Sequence, residues 1–353
     1  MTKTLKQTIA SIACAATFLT LAGASARAAD AGVANFTFNA AHRDMPVQAL
    51  IWYPAQSGGF PEEVGDDPVF QGTPARRGAV PEPGKHQLVV LSHGAGGNAA
   101  NLGWLSARLV HEGYIVAAPN HPGSTSGDSR PETNIKGWER PQDVTALLDA
   151  IAASKGLQRL VDVNNVTAMG FSMGGYTALA LGGARVAASD YAKYCDDHAA
   201  AMDCAWFDHG NDYIKGHVDL RKVDAAAFGT SYEDVRVTRV VAIDPGFAQA
   251  YVKDSLAKMS VPAFVLNLGT GQKIPLGVEG GRIAAAIPHA TYATVDGANH
   301  FTFLGLCKTF GWVFLMMEGD DPVCTEVSER RRSGMHDEIA EKIIGFLAAP
   351  VTN

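Results

Sequence analysis

VTAMGFSMGGYTALALGGA, residues 166–184, is the stretch that decides how this chain is read. It opens as a short run apolar at nearly every position, the pattern of a strand buried on both faces, and continues as a helix of small residues. Between the two stands Gly170-Phe171-Ser172-Met173-Gly174. A strand that turns straight into a helix at a serine strains the backbone and crowds its Cβ atoms, so small residues must flank the turn. Gly-x-Ser-x-Gly arises by chance in a chain with 37 glycines. A strand before it and a helix after it are what a nucleophile elbow requires, and both patterns are present. Ser172 is therefore expected to present an attacking hydroxyl at the edge of a sheet.

Working outward, similar apolar runs recur at QLVVLS (87–92), YIVAAP (114–119), RVVAID (239–244), VPAFVLNL (261–268) and TYATVD (291–296). Helical patterns separate them. Pro141 is expected to open one helix with Val144, Leu147, Leu148 and Ile151 on a single stripe. Ile339, Ile343 and Leu347 share a face of another, over 335–348. Strands alternating with helices imply an α/β fold, a mostly parallel central sheet with helices on both faces. Residues 33–53 read as two further strands around a polar turn, and 54–86, rich in Gly, Pro and charge, as an excursion from the sheet. Residues 188–236 break the rhythm and read as an inserted cap on a single domain spanning 29–353.

The first 28 residues stand apart. Lys3 and Lys6, an apolar run and then Ala26-Arg27-Ala28 have the form of a secretory signal peptide cleaved before Ala29. A composition of 47% hydrophobic and 18% charged residues excludes a disordered or coiled-coil protein. Removing Lys3, Lys6 and Arg27 from 29 basic residues leaves 26 against 36 acidic ones, a net charge of about −10 that disfavours nucleic acid and anionic membranes as partners. No later segment supplies the roughly 18 apolar residues of a spanning helix, so no stable membrane insertion is expected. Without Cys14 four cysteines remain, an even number that suits disulfides in an exported, periplasmic or extracellular chain. The shortest loops pair Cys195 with Cys204 and Cys307 with Cys324. His198, His209 and His217 surround the first pair, but their spacing matches no metal site, so no metal and no cofactor are expected.

A serine hydroxyl needs a base, a group that orients the base, and donors for the oxyanion. Such elbows order the set along the chain as nucleophile, acid, base. His300, in VDGANHFTFLG just past the last strand, is placed to reach over the serine. His289 precedes that strand, at the wrong end of the sheet, and His336 starts the terminal helix. The acid commonly follows the strand VPAFVLNL, yet Gly269-Thr270-Gly271-Gln272-Lys273 holds no carboxylate. Asp244 instead ends the preceding strand before Pro245-Gly246, where parallel sheets present catalytic groups. Asp296, four residues before His300, is the rival and reads better as a turn former. The backbone N–H groups of Met173 and of Ala95, in the turn LSHGAGGN (91–98), are the expected oxyanion donors, with His93 bracing that turn.

LSHGAGG, AAPNHPGS, RPQDV, GFSMGGYTALAL, AIDPG and GANHFTFLGLC, in this order, resemble the predicted dienelactone-hydrolase group of the α/β-hydrolases, akin to the platelet-activating-factor acetylhydrolases. The resemblance covers most of 33–348. It implies an α/β-hydrolase fold, with Ser172 as nucleophile, Asp244 as acid and His300 as base. Relatives often carry a bulky apolar residue where Ala95 stands, a departure that bears on the acyl pocket. The expectation is an exported serine hydrolase cleaving small or polymeric carboxylic esters. The alternatives are a polyester or polyamide hydrolase and a catalytically silent binding module.

Overall fold

The structure is a computed structural model that describes residues 30–211, 214–318, 321, 323–324 and 331–350. The expected signal peptide, 1–28, lies outside the described residues. Among the described residues, thirteen strands follow in chain order: β1 (Asp30–Phe38), β2 (Val47–Ser57), β3 (Phe60–Val64), β4 (Thr73–Arg77), β5 (Val80–Pro81), β6 (His86–Ser92), β7 (Ile115–Pro119), β8 (Ser124–Thr125), β9 (Asp128–Ser129), β10 (Val161–Phe171), β11 (Val237–Ile243), β12 (Ala263–Leu268) and β13 (Ala290–Val295). All but the β8–β9 pair join one 11-stranded sheet in the order β13-β12-β11-β10-β6-β7-β2-β1-β4-β3, with β5 paired to β2. From β7 to β13 every neighbouring pair is parallel, and β2 meets β7 antiparallel.

Continuous apolar strands arise because both faces are covered. Along β6, Leu88 and Val90 join the core under helices α3 (Glu139–Ala153) and α4 (Met173–Leu181), which follow α1 (Gly103–His111) and α2 (Pro131–Asn134) in the chain. Val89 and Leu91 join the opposite core, where α1 and the terminal helix Arg332–Ala348 bury Leu105, Leu109, Ile339, Ile343 and Leu347. Pro141 stands third in α3, inside the first turn where an amide has no helical partner, so the helix opens two residues earlier than Pro141 indicated.

Two segments differ from their sequence reading. Residues 54–86 extend the sheet rather than leave it: β3 and β4 form a hairpin whose β4 runs parallel to β1. Paired Arg77 and Glu62 span that hairpin, which is why a charged stretch can be strand at a solvated edge. TYATVD is β13, but it is the outer strand and covered on one face only, so Tyr292 is exposed.

Residues 188–236 carry α5 (Ala188–Asp197) and α6 (Met202–His209), joined by the disulfide Cys195–Cys204. Tyr191 of α5, Phe207 of α6 and Phe228 gather around Phe247, three residues past Asp244, with Tyr191 and Phe247 rings 4.9 Å apart. These residues thus pack on the turn that follows β11. The second disulfide, Cys307–Cys324, closes a loop that turns Leu315 onto Phe70 and Val323 and leaves Phe310, Trp312, Met316 and Met317 exposed.

The Cys307–Cys324 bridge ties off 17 residues. Its removal by a Cys307→Ser/Cys324→Ser double variant should cost about 3 kcal/mol on the loop-entropy scale. Denaturant unfolding checks the figure, and thiol counting on denatured, unreduced protein should find no free thiol among these four cysteines.

Candidate active site

Strand order brings the site together. The chain runs from β6 outward to β7 on one side and then returns to β10 on the other, so a crevice opens where the loops after β6 and β10 part. Ser92, the last residue of β6, lies opposite Gly170 of β10, and Phe171 lies opposite Ile243 of β11. Residues 93–97, Ser172 and Asp244 therefore leave the sheet side by side.

Ser172 adopts φ 57° and ψ −118°, left-handed backbone that a residue with a Cβ enters only at a cost. Its amide donates to the Ile243 carbonyl at 2.9 Å and its carbonyl accepts from Gly246 at 2.8 Å, bonds that hold the elbow in place. The flanking glycines are obligatory. A Cβ at Gly170 would lie 2.1 Å from the Gly174 oxygen, and one at Gly174 would lie 1.9 Å from the Ser92 oxygen. Ser172 itself is half-buried, and α4 begins immediately after it, leaving the Met173 amide without an i−4 carbonyl.

Asp244 is fully buried and also has positive φ, at 43°. Its Oδ2 accepts from His300 Nδ1 at 2.9 Å, while Oδ1 accepts from Asn267 Nδ2 at 2.7 Å and the Leu268 amide at 2.8 Å. Both carboxylate oxygens are thus satisfied and the carboxylate cannot rotate freely. His300 opens a short turn, His300–Phe303, closed by a reciprocal capping box between Asn299 and Thr302. The Phe171 ring, one residue before Ser172, packs on the His300 ring with centroids 4.7 Å apart. With Nδ1 committed to Asp244, Nε2 is the ring nitrogen left to exchange a proton. Asp296, the rival acid, accepts from Thr270 at the exposed end of β13. His289 lies at the N-terminal end of β13, where its carbonyl accepts from the Ala263 amide.

Gly94 reaches the elbow from the other side: a Cβ there would stand 3.2 Å from Ser172 Cβ. Its neighbour Ala95 is exposed, and His93 is fully buried beneath the turn.

A model of the alpha/beta hydrolase family matches residues 89–305, from β6 to just beyond His300. The chain belongs to the α/β-hydrolase family. Among solved structures, it is similar to a ferulic acid esterase from Streptomyces cinnamoneus, with TM-score 0.59 and 17% identity over 92% of this chain and 91% of that one. A dienelactone hydrolase from Anabaena variabilis is similar at TM-score 0.44 and 10% identity, over 90% and 98% of the two chains. These likenesses concern the fold. No curated protein matches the sequence.

Several residues that shape the site in this α/β-hydrolase lie outside the motifs that single out Ser172, Asp244 and His300 in the sequence. In the sequence Asn267 lies within an apolar strand pattern, and its being the lone polar residue in VLNL is the available signal. Besides Asp244 it serves the loop after it, donating to the Val278 carbonyl and accepting from the Gly280 amide, each at 2.8 Å. His336 holds the turn that carries His300. Its Nε2 donates to the Thr302 carbonyl at 2.8 Å, and its ring stacks on Trp104, whose indole donates to the Phe303 carbonyl. Beneath the 93–97 turn, Asp143 accepts from His121, His42 and Arg43, and is held well below the usual carboxylate range against the opposing effect of its burial.

Burial pushes the imidazoles of His121 and His336 down to about 4, and that of His93 well below its ordinary value. The unfolded chain takes up a proton on each near 6.5, whereas the folded chain refuses it until about 4. Stability should therefore fall as pH drops from 6.5 to 4, by roughly 3 kcal/mol for each of His121 and His336. Asp143 extends the loss below 3.8, where the unfolded carboxylate protonates. Thermal unfolding across pH 3 to 8 reads this directly. A Tm that stays level from pH 7 to 4.5 would contradict it.

Proposed function

We propose that this α/β-hydrolase is an exported serine esterase that cleaves carboxylic esters through an acyl-enzyme. The observation that carries the reading is the strained, half-exposed Ser172 beside a buried carboxylate–imidazole pair, His300 Nδ1 to Asp244 Oδ2 at 2.9 Å. In this reading His300 Nε2 takes the serine proton as Oγ attacks the ester carbonyl. The same proton passes to the alkoxide as the C–O bond breaks, and the alcohol leaves. Water then attacks the acyl-serine with His300 again as base, releasing the acid and restoring the hydroxyl. Asp244 holds the imidazolium that forms in each half, and the Met173 and Ala95 amides receive the negative oxygen.

Residues 188–236 act as the cap over the acyl site in this proposal, consistent with their packing on Phe247. Two disulfides fit an oxidising compartment, as a signal peptide over 1–28 would require. The motif order keeps the chain close to the dienelactone-hydrolase group and its acetylhydrolase relatives. The ferulic acid esterase that shares the fold is one precedent for an ester substrate.

Ser172→Ala should remain folded and lose about three or more orders of magnitude in kcat/KM on p-nitrophenyl esters. Asp244→Asn should be crippled and Asp296→Asn nearly unaffected. A fluorophosphonate should label wild-type protein at Ser172. Near-normal turnover by Ser172→Ala would overturn the assignment, and the reverse ranking of the two aspartates would move the acid to 296.

A further inference from the structure

A second serine–histidine–aspartate array lies beneath the first. Ser92 Oγ donates to His121 Nε2 at 2.8 Å, and His121 Nδ1 donates to Asp143 Oδ2 at 2.9 Å. All three are sealed, at no more than 1% exposure, so no ester can reach the Ser92 hydroxyl. The array does something else. His121 and Asp143 come from AAPNHPGS and RPQDV, motifs to which the catalytic set assigns no role.

Hydrogen-bond direction leads from this array to the 93–97 turn. The His121 amide donates to His93 Nε2 at 3.1 Å. An N–H can be received only by a bare ring nitrogen, so the His93 proton sits on Nδ1. From there it donates to the Gly94 carbonyl at 2.6 Å, which also accepts from the Gly97 amide at 3.2 Å. The Gly94 carbonyl and the Ala95 N–H belong to one planar trans peptide and point in opposite directions. Fixing the direction of the carbonyl therefore fixes the opposite direction of the Ala95 N–H, in the turn whose Gly94 abuts Ser172. Arg140 locks the other end of the turn, donating to the His93 carbonyl and to Ser124 Oγ, while the Ser124 carbonyl accepts from Gly96 at 3.0 Å.

We infer that the buried Asp143–His121–His93 chain is a positioning relay that aims the Ala95 amide at the oxyanion formed on Ser172. The inference rests on the esterase reading above. His93 and His121 never touch substrate, and their work is to hold one peptide plane against rotation. Burial and the nearby Arg140 charge keep both imidazoles neutral at working pH, so the proton positions that set the plane do not change there.

Paired variants separate this role from simple packing. In His93→Asn the amide nitrogen falls near Nδ1 and can still donate to the Gly94 carbonyl. In His93→Gln the amide oxygen falls near Nε2, accepting from His121 but leaving that carbonyl without its side-chain donor. With p-nitrophenyl acetate, His93→Gln should lose about 100-fold in kcat with KM within about threefold, the cost of one oxyanion donor. An alkyl boronic acid, which forms a tetrahedral adduct, should bind it more weakly by a similar factor. His93→Asn should recover most of both losses. Ser92→Ala, which removes one hydroxyl, should lower kcat several-fold at constant KM and serves if both His93 variants fail to fold. The inference is overturned if the two His93 variants fall together in step with Tm, or if kcat is unchanged in His93→Gln or, where that protein does not fold, in Ser92→Ala. Wild-type protein that takes up no fluorophosphonate overturns the esterase reading and this inference with it. Labelled wild type with equal His93 variants overturns this inference alone.

Discussion

The Ser92 carbonyl oxygen occupies the space that a side chain on Gly174 would need, 1.9 Å from where its Cβ would stand. The rest of the site depends on that approach. It lets α4 start directly against the end of β6, so the elbow after β10 and the turn after β6 share one crevice. Any residue larger than glycine at 174 would push α4 off the sheet and carry Ser172 away from Gly94. The left-handed backbone at Ser172 is tolerated because strands on both sides are already registered, with its amide bonded to β11.

The placement of Asp244 follows from the same neighbourhood. Asp244 leaves β11 beside Ser172, and the adjacent strand β12 contributes Asn267 in place of a carboxylate. Asn267 supplies what an acid at that position could not, an N–H for Asp244 Oδ1. It also binds the 278–280 backbone. The orientation of the carboxylate toward His300 is consequently shared between two strands and the loop beyond them.

Three buried histidines hold the loops around Ser172 and His300. His93 and His121 sit under the 93–97 turn, and His336 sits under the turn that bears His300. Each is kept neutral by burial, so each keeps one donor and one acceptor nitrogen. The same neutrality makes the folded state sensitive to acid, because unfolding releases imidazoles that gain protons.

Local pattern determined much of this protein. Apolar runs, helical stripes and the Gly-x-Ser-x-Gly between them specified an α/β sheet with helices on both faces and the strand–serine–helix elbow. Chain order and strand ends were enough to single out Asp244 and His300 as candidates. These signals are legible because burial on both faces and a tight turn constrain residues close together in sequence. The tertiary structure decided what depends on contacts across the chain. It turned charged residues 60–77 into edge strands through pairing with β1, left β13 half-exposed as the outer strand, and placed Asn267 behind Asp244 and His336 behind the turn that bears His300. It also decided that Ser92, His121 and Asp143 form an array that no solvent reaches. A hydrogen bond between residues 22 or 56 positions apart leaves no periodicity in the sequence, and its direction is set only when the strands that carry the two partners have paired.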